Sequence, residues 1–432
     1  MIASESKYNM YFFKRTGKII SLFWAVLFFI QSNSILFVSY DTNIKRYIYL
    51  ISIVLASISL IMTMSLYFVN QQNILPEIVL IFFLICSCAA MYIGTVLNGG
   101  KFEFNTFYTY FVLLIVFILW SKYLQSVEMN NYLLVIFRKL VTVYAGVSLI
   151  MWLVCSVLKI IQPTSSIFIS WGSIHPVPVY LHLYAQSQEP ITFLGFEAIR
   201  NTGMFAEAPM YSFVLSIALL VHSFVEKKMN CFTILLMITI ITTASTTGTL
   251  VVLLVLFIRL SELMIRSKYR NMLVPITVTL LVSGFILLVT VVILKILQSD
   301  GSVSVRMDDF NAGYITWMQH PLFGIGLFND GPLISNMNPA RWPYLGHVGN
   351  VGFSSGFMKI LAGGGLIFTI IFLICPVMIN FLISIRRKNM FWGVSVGLVM
   401  IISISLVQNL YLFIFLIGWM WSNFINPKNG GN

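Results

Sequence analysis

The residues best suited to chemistry lie in one polar stretch, residues 302–326, of a chain that is otherwise strongly apolar. Its sequence, SVSVRMDDFNAGYITWMQHPLFGIG, predicts a short amphipathic helix that Ser304 caps and that ends before Pro321. Arg306 would then stand in the first turn, where free backbone N–H groups and the helix dipole favour an anion. A cation in this setting indicates a site for a negatively charged ligand.

Two acidic residues, Asp308 and Asp309, follow Arg306 and raise the question of a metal site. No third acid follows at the spacing that such a site needs, so we interpret both aspartates as surface residues of the helix. His175 and His182 also lack companion ligands. We therefore predict that the protein has no metal site.

A second set of candidates lies in the sequence FEAIRNTGMFAEAP, where Arg200 precedes a polar turn and Glu207 lies just ahead of Pro209. Pro209 fits the first position of a helix. Glu207 then has two interpretations: an acid that stabilises the helix N-terminus, or a general base at a membrane surface. Arg200 is either a lipid headgroup contact or a ligand for an anion.

Arg341 and His347 are the candidates downstream of the polar stretch. His347 lies in the glycine-rich segment LGHVGNVGF, where few side chains are available to pack against it, and its role is either structural or catalytic. Aromatic residues of the same regions could stack on the faces of sugars or form an interfacial belt. These aromatic residues are Trp171, Tyr180, Tyr184, Tyr314, Trp317, Trp342 and Tyr344.

The elements that must position these residues are membrane helices. The chain is 59% hydrophobic and 9% charged, with a mean hydropathy of +0.91, whereas charged residues approach a quarter of an average soluble domain. About twelve apolar segments have the length needed to span a bilayer. The predicted fold class is therefore an all-α polytopic membrane protein, with two large extracytoplasmic loops that contain short amphipathic helices.

The apolar segments divide the chain into five parts. Membrane helices would occupy residues 1–161 (about five), 209–294 (about four) and 357–432 (about three). The two large loops would be residues 162–208 and 295–356. Because loops of this length are usually functional or disordered, and these contain many aromatic residues, histidines and prolines, we expect them to be ordered and to carry the function.

Charge sets the expected orientation. The net charge of +12 comes largely from Lys and Arg that cluster in alternate connections between spans, and this bias places both termini in the cytoplasm and both large loops outside. The excess positive charge is thereby explained without nucleic acid. Ionisable residues at the middle of the spans are nearly absent, which argues against an ion-coupled transporter.

Arginines on two outer loops close to the bilayer suit an anion that its own lipid holds at the membrane surface. A long isoprenoid tail supplies about 0.8 kcal/mol of membrane affinity per buried CH₂, so the arginines need not capture the ligand. Their expected task is to orient a diphosphate and to stabilise its charge as it leaves.

The order and spacing of these motifs resemble the bacterial O-antigen and capsule polymerases of the Wzy type and their relatives, the O-antigen ligases. An arginine, a short helix and a Pro-x-x-Gly-x-Gly turn correspond to Arg306 through Gly326. An arginine ahead of Gly, Phe and an acid-x-Pro sequence corresponds to Arg200 and RNTGMFAEAP. A polar turn between two short spans corresponds to TTASTTG, and a histidine and an asparagine ahead of a glycine-rich helix correspond to His347 and Asn350.

The resemblance implies transfer of a glycan from undecaprenyl diphosphate to a sugar hydroxyl of another lipid-linked repeat unit, on the outer face of the bacterial cytoplasmic membrane. Arg200 and Arg306 would hold the diphosphate, with Arg341 as a secondary contact. His347 or Glu207 would assist deprotonation of the acceptor hydroxyl.

The remaining expectations concern substrate contacts and partners. Tyr314, Trp317 and Asn350 are predicted to bind the substrate, and neither a metal nor another cofactor is implied because the donor is already activated. The expected partners are undecaprenyl-diphosphate-linked repeat units and membrane lipids, with a flippase and a chain-length regulator as further candidates and no nucleic acid. Two alternatives stay open: a ligase that moves finished polymer to a different acceptor, and an exporter of lipid-linked glycans.

Overall fold

The computed structural model describes residues 2–70, 75–101, 103–171, 173–188, 190–193, 196–266, 275, 301–327, 329–342 and 352–425. The helices up to the first large loop are α1 (Ile2–Gln31), α2 (Thr42–Asn70), α3 (Leu75–Leu97), α4 (Phe104–Phe107), α5 (Leu113–Ser126) and α6 (Tyr132–Met151). Those between the two large loops are α7 (Ala208–Leu220), α8 (Cys231–Thr242) and α9 (Thr246–Arg266). The rest are α10 (Gly301–Gln319), α11 (Gly331–Ser335), α12 (Gly356–Thr369), α13 (Cys375–Arg386), α14 (Trp392–Ile404) and α15 (Tyr411–Ile425).

The helical class predicted from composition is confirmed. Within the described residues, six helical stretches are long and apolar enough to cross a membrane: Thr42–Val69, Leu75–Leu97, Phe104–Ser126, Tyr132–Val157, Ala208–Val225 and Gly356–Arg386. Shorter apolar helices cover Cys231–Thr242, Trp392–Ile404 and Tyr411–Phe424. The total of about twelve spans stays a prediction, and most of the span expected near 272–294 lies outside the described residues.

The core of the helical bundle lies where α1, α5 and α15 meet. The rings of Trp24 and Phe117 are 4.8 Å apart between centroids, and those of Phe28 and Phe415 are 5.2 Å apart. A Cβ atom at Gly418 would lie 3.0 Å from the Phe117 Cβ, so the absence of a side chain there lets α5 and α15 approach closely. This packing joins the three helices into one core.

The first large loop contains strands, and the expectation of short amphipathic helices there is wrong. Strands β1 (Ser165–Trp171), β2 (Ser173–Tyr180) and β3 (Tyr184–Ala185) form an antiparallel sheet, and β4 (Ile191–Phe193) pairs with β5 (Phe196–Ala198). The sequence of β1, SSIFISW, alternates apolar with polar residues at the period of a strand, which points Ile167 and Ile169 to the same face. Ile169 is fully buried there.

Several connections meet at one end of the bundle, which we call the loop end: the described residues within 32–41, 158–207, 243–245 and 301–355. The backbone of Ser34 bridges to Phe205, and that of Ser39 bridges to Ile169. The backbone N–H of Gly356 donates to the Ser405 carbonyl (3.2 Å). Backbone hydrogen bonds therefore tie described parts of both loops to the bundle.

The glycine-rich turn that follows α10 packs directly against a kink in α12. Gly324 and Gly326 have positive φ angles (68° and 97°), which agrees with the tight turn predicted from the sequence. The backbone N–H groups of Ile325 and Gly326 donate to carbonyls of α12 (3.0 and 2.8 Å). A Cβ atom at Gly324 would lie 2.4 Å from the Gly363 carbonyl oxygen, so only glycine permits this approach. The turn fixes the C-terminal end of α10 on the bundle.

Candidate functional site

Arg200 is held between the first large loop and the turn that joins α8 to α9. Its Nε donates to the Thr243 carbonyl (3.0 Å), and the next residue, Asn201, bonds through its backbone N–H to the Thr242 carbonyl (2.9 Å). The turn is sharp because Ala244 adopts a left-handed conformation (φ 49°). The polar sequence TTASTTG thus supplies the backbone carbonyl that orients the Arg200 guanidinium.

Arg306 lies on α10, but one turn later than the sequence suggested. The helix already includes Gly301, so the prediction that Ser304 caps it is wrong, and Arg306 does not stand among the free N–H groups of a first turn. Its side chain is partly buried. Among the residues that the structure describes, no hydrogen bond or salt bridge involves the Arg306 guanidinium. Arg306 would therefore attract an anion through its own charge and not through the N-terminus of α10.

The structure brings Arg200 and Arg306 close enough for their charges to interact. Burial lowers the pKa of Arg200, and the positive charge of Arg306 lowers it further, while Glu207 opposes both effects. Burial also lowers the pKa of Arg306, opposed by Asp309. Two partly desolvated guanidinium groups that repel one another form a site that an anion would stabilise.

Glu207 occupies the N-cap position of α7, with extended backbone angles (φ −144°, ψ 148°), but its carboxylate makes no capping hydrogen bond. Gln188 supplies the cap instead, because its Oε1 accepts from the backbone N–H of Ala208 (3.1 Å). The Glu207 Oε1 accepts a hydrogen bond from the indole N–H of Trp171. The carboxylate is therefore engaged by the indole of Trp171 and not by the N-terminus of α7.

Arg341 is part of a buried ion cluster. Its Nη1 donates to Asp308 Oδ2 (2.7 Å) and Asp309 Oδ1 (2.8 Å), and its Nη2 donates to the Gly352 carbonyl (2.8 Å). Burial opposes the charge, but the hydrogen bonds to Asp309 and Asp308 raise the pKa of Arg341. Because two carboxylates already neutralise it, Arg341 has little charge to offer a diphosphate. Its predicted role as a secondary diphosphate contact stays untested.

The interpretation of both aspartates as surface residues is wrong for Asp309, whose side chain is fully buried, and Asp308 is only 17% exposed. Beyond the bond to Arg341, Asp309 Oδ2 accepts from the backbone N–H (2.8 Å) and the hydroxyl (2.6 Å) of Ser354. The aspartates therefore join α10 to the segments that precede and follow the glycine-rich sequence around residue 347. This long-range pairing is not visible in the local helical pattern.

The predicted substrate contacts on α10 lie apart from Arg306. Tyr314 and Trp317 form an aromatic pair with ring centroids 5.8 Å apart, and the Trp317 indole donates to the Pro321 carbonyl (3.2 Å). They follow Arg306 by more than two helical turns, or roughly 12–17 Å. His347 and Asn350 lie outside the described residues, so their predicted roles as base and substrate contact stay predictions.

Metal ligands and cavities add little to this site. In the described part of the chain, no group of three or more His, Cys, Asp or Glu side chains could hold a metal ion. An apolar groove of about 580 Å³ lies between α3 and the helical stretch formed by α4 and α5, lined by residues such as Leu84, Cys88 and Phe111, with Asn329 also on its wall. Among the candidate residues that the structure describes, none lines this groove.

Sequence reasoning missed three contacts that shape the site: the bond of Trp171 to Glu207, the cap that Gln188 provides, and the Thr243 carbonyl that orients Arg200. Each joins residues that are far apart in sequence. Only the aromatic character of Trp171 and the polar composition of the α8–α9 turn gave a signal, and neither identified a partner.

Comparison with known proteins gives one match. A family model described as O-antigen ligase matches residues 231–373, which run from α8 through α12 and the adjoining π-helical turn. The matched segment contains the α8–α9 turn, Arg306, Arg341 and the glycine-rich turn, whereas Arg200 and Glu207 precede it. No curated protein matches the chain at a significant level.

Proposed function

Because the chain belongs to the O-antigen polymerase/ligase superfamily, we propose that it is a polysaccharide polymerase. In this proposal it transfers a glycan from undecaprenyl diphosphate to a sugar hydroxyl of another lipid-linked repeat unit. The reaction takes place at the loop end, which faces outward from the bacterial cytoplasmic membrane.

The observation that carries the proposal is the pair formed by Arg200 and Arg306. The two residues come from different loops, both are partly desolvated, and neither forms a salt bridge with another described residue. Burial lowers the pKa of both arginines despite the attraction of Glu207 and Asp309, and an anionic ligand would offset the cost of their charges. A diphosphate, with oxygens on two phosphorus atoms, can accept charge-assisted hydrogen bonds from both guanidinium groups at once.

The proposed chemistry is a displacement at the anomeric carbon of the donor sugar. The acceptor hydroxyl oxygen forms a bond to that carbon, and the bond from the carbon to the diphosphate oxygen breaks. Arg200 and Arg306 stabilise the negative charge that develops on the departing lipid diphosphate. Glu207, close to Arg200 and free of a capping role, accepts the proton of the acceptor hydroxyl. His347 is the alternative base.

The single substitutions Arg200→Ala and Arg306→Ala test the proposal in cells. Each should leave the protein in the membrane but abolish chain growth, so that surface glycans carry single repeat units in place of a ladder on a gel. Arg386→Ala is the matched control, because it removes an exposed arginine near the end of α13, far from the pair. A ladder of unchanged length in both site variants would refute the assignment.

A ligase is the second candidate, favoured by the description of the matching family model. The same gel separates the two reactions. A strain that lacks a ligase accumulates long polymer on its isoprenoid carrier, whereas a strain that lacks a polymerase contains no long polymer. Transport of lipid-linked glycan by the purified protein without bond formation would instead identify an exporter.

A further inference from the structure

Glu207 and Arg200 have opposite charges that attract one another, yet the two residues do not form a salt bridge. Both lie in the described part of the chain, and the attraction of Glu207 for Arg200 is felt in the pKa of the arginine. The Arg200 Nε bonds to Thr243, while the Glu207 Oε1 bonds to Trp171. A flexible carboxylate beside a partly buried guanidinium would ordinarily pair with it. In the structure, the indole of Trp171 is the group that binds the carboxylate in place of Arg200.

The backbone of Trp171 is rigid because β1 is fixed to the bundle. Outside its pairing with β2, the backbone N–H of Ser170 donates to the Val38 carbonyl (2.9 Å), and that of Tyr40 donates to the Phe168 carbonyl (2.9 Å). The Trp171 ring also packs against the main hydrophobic core. The indole N–H is thus a fixed donor at the end of a hairpin, and its position determines where the Glu207 carboxylate lies.

We infer that Trp171 is a positioning residue that holds the Glu207 carboxylate away from Arg200, an inference that rests on the proposed function. The consequence is twofold. Arg200 stays unneutralised and, with Arg306, available to a diphosphate. Glu207 keeps its second oxygen, Oε2, available for the proton of the acceptor hydroxyl. Loss of the indole N–H would let the carboxylate rotate onto Arg200 and neutralise the anion site.

The inference is tested by the binding of inorganic pyrophosphate to the purified full-length protein in detergent, which needs no turnover. Trp171→Phe removes the N–H and keeps an aromatic ring, and it should weaken pyrophosphate binding about tenfold, or about 1.4 kcal/mol. Glu207→Gln should not weaken binding, because the amide cannot neutralise Arg200. The double variant should then bind as Glu207→Gln does.

The controls separate positioning from a general structural role. Trp419→Phe removes a matched indole hydrogen bond, to Asn131 Oδ1 (2.8 Å), and should leave pyrophosphate affinity unchanged. If Trp171→Phe fails to accumulate, Trp171→Met, which also lacks a donor, takes its place in the same cycle. An equal loss of affinity with and without the Glu207 carboxylate, or no loss at all, would overturn the inference. Absence of pyrophosphate binding in the wild-type protein would instead contradict the proposed function.

Discussion

Basic residues at one end of the helical bundle form salt bridges with carboxylates, whereas two arginines at the other end form none with the described residues. At the end away from the large loops, Arg138 pairs with Glu226 (2.5 Å) and Arg259 pairs with Glu262 (2.6 Å). At the loop end, Arg200 and Arg306 approach one another, and no carboxylate among the described residues forms a salt bridge with either. A buried cation normally requires a partner, because its desolvation is otherwise uncompensated.

Arg341 shows that this difference is not a general property of the loop end. It lies in the same large loop as Arg306, yet two aspartates neutralise it. The loop therefore can supply carboxylates to an arginine and does not supply them to Arg306. We take this contrast to separate an arginine that maintains the fold from arginines that are kept for a ligand.

The largest effect on stability is expected for Arg341→Ala. The substitution leaves the fully buried Asp309 without its cation, and breaking such a pair costs about 3–5 kcal/mol. Arg306→Ala, which breaks no such pair, should change the free energy of unfolding by no more than about 0.5 kcal/mol. Denaturation of both purified variants in detergent measures the difference. Equal destabilisation by the two substitutions would contradict the distinction between a structural Arg341 and an Arg306 that does not stabilise the fold.

A smaller effect on stability, which depends on pH, is expected at Glu226, at the end of the bundle away from the large loops. Burial alone would raise the pKa of Glu226, but hydrogen bonds from His222 and Arg138, together with their charges, lower it to about 2. The carboxylate is more acidic in the folded protein than in the unfolded chain, whose glutamates titrate near about 4.3. Its stabilising contribution is therefore present above that value and is lost as pH falls towards 2.

Glu226→Gln tests this dependence. The variant should lose about 1.5–3 kcal/mol at neutral pH, the contribution of a hydrogen bond to a charged group, and its stability should fall less steeply than that of the wild-type protein below pH of about 4.3. Thermal unfolding across this pH range measures both. Glycan chain length should stay normal in cells that retain the variant, because the cluster lies away from the arginine pair. If the stability of the variant and of the wild-type protein fell in parallel with pH, Glu226 would make no contribution to the loss of stability in acid.

The features that could be predicted from the sequence are those set by local composition and period. Apolar length predicted membrane helices, and Gly324 and Gly326 predicted a tight turn, because a positive φ angle is a property of single residues. The strands of the first loop follow from alternation in SSIFISW, which the abundance of aromatic residues and prolines in that loop obscured. The start of α10 was misplaced because Ser304 resembles a cap in isolation.

The candidate site was only partly predictable, because charge is visible in a sequence and pairing is not. Arg200 and Arg306 were singled out as cations of two loops on one side, and the structure brings their charges within reach of one another. The local sequence even suggests the wrong partner, since Asp308 and Asp309 follow Arg306 directly and lie far from Arg341 along the chain. Their difference arises from packing of α10 against Arg341 and Ser354, which brings Asp309 to Arg341.

The smallest effect on stability is expected at the ion pair between Lys359 of α12 and Asp330 of the loop end. The Asp330 side chain is 51% exposed, so water competes with the lysine for its charge. Asp330→Asn should therefore change the free energy of unfolding by less than about 1 kcal/mol, and salt should abolish the difference. Denaturation at low and high ionic strength measures it. If Asp330→Asn lost as much stability as Arg341→Ala, the burial of an ion pair at this end of the protein would not determine how much the pair stabilises the fold.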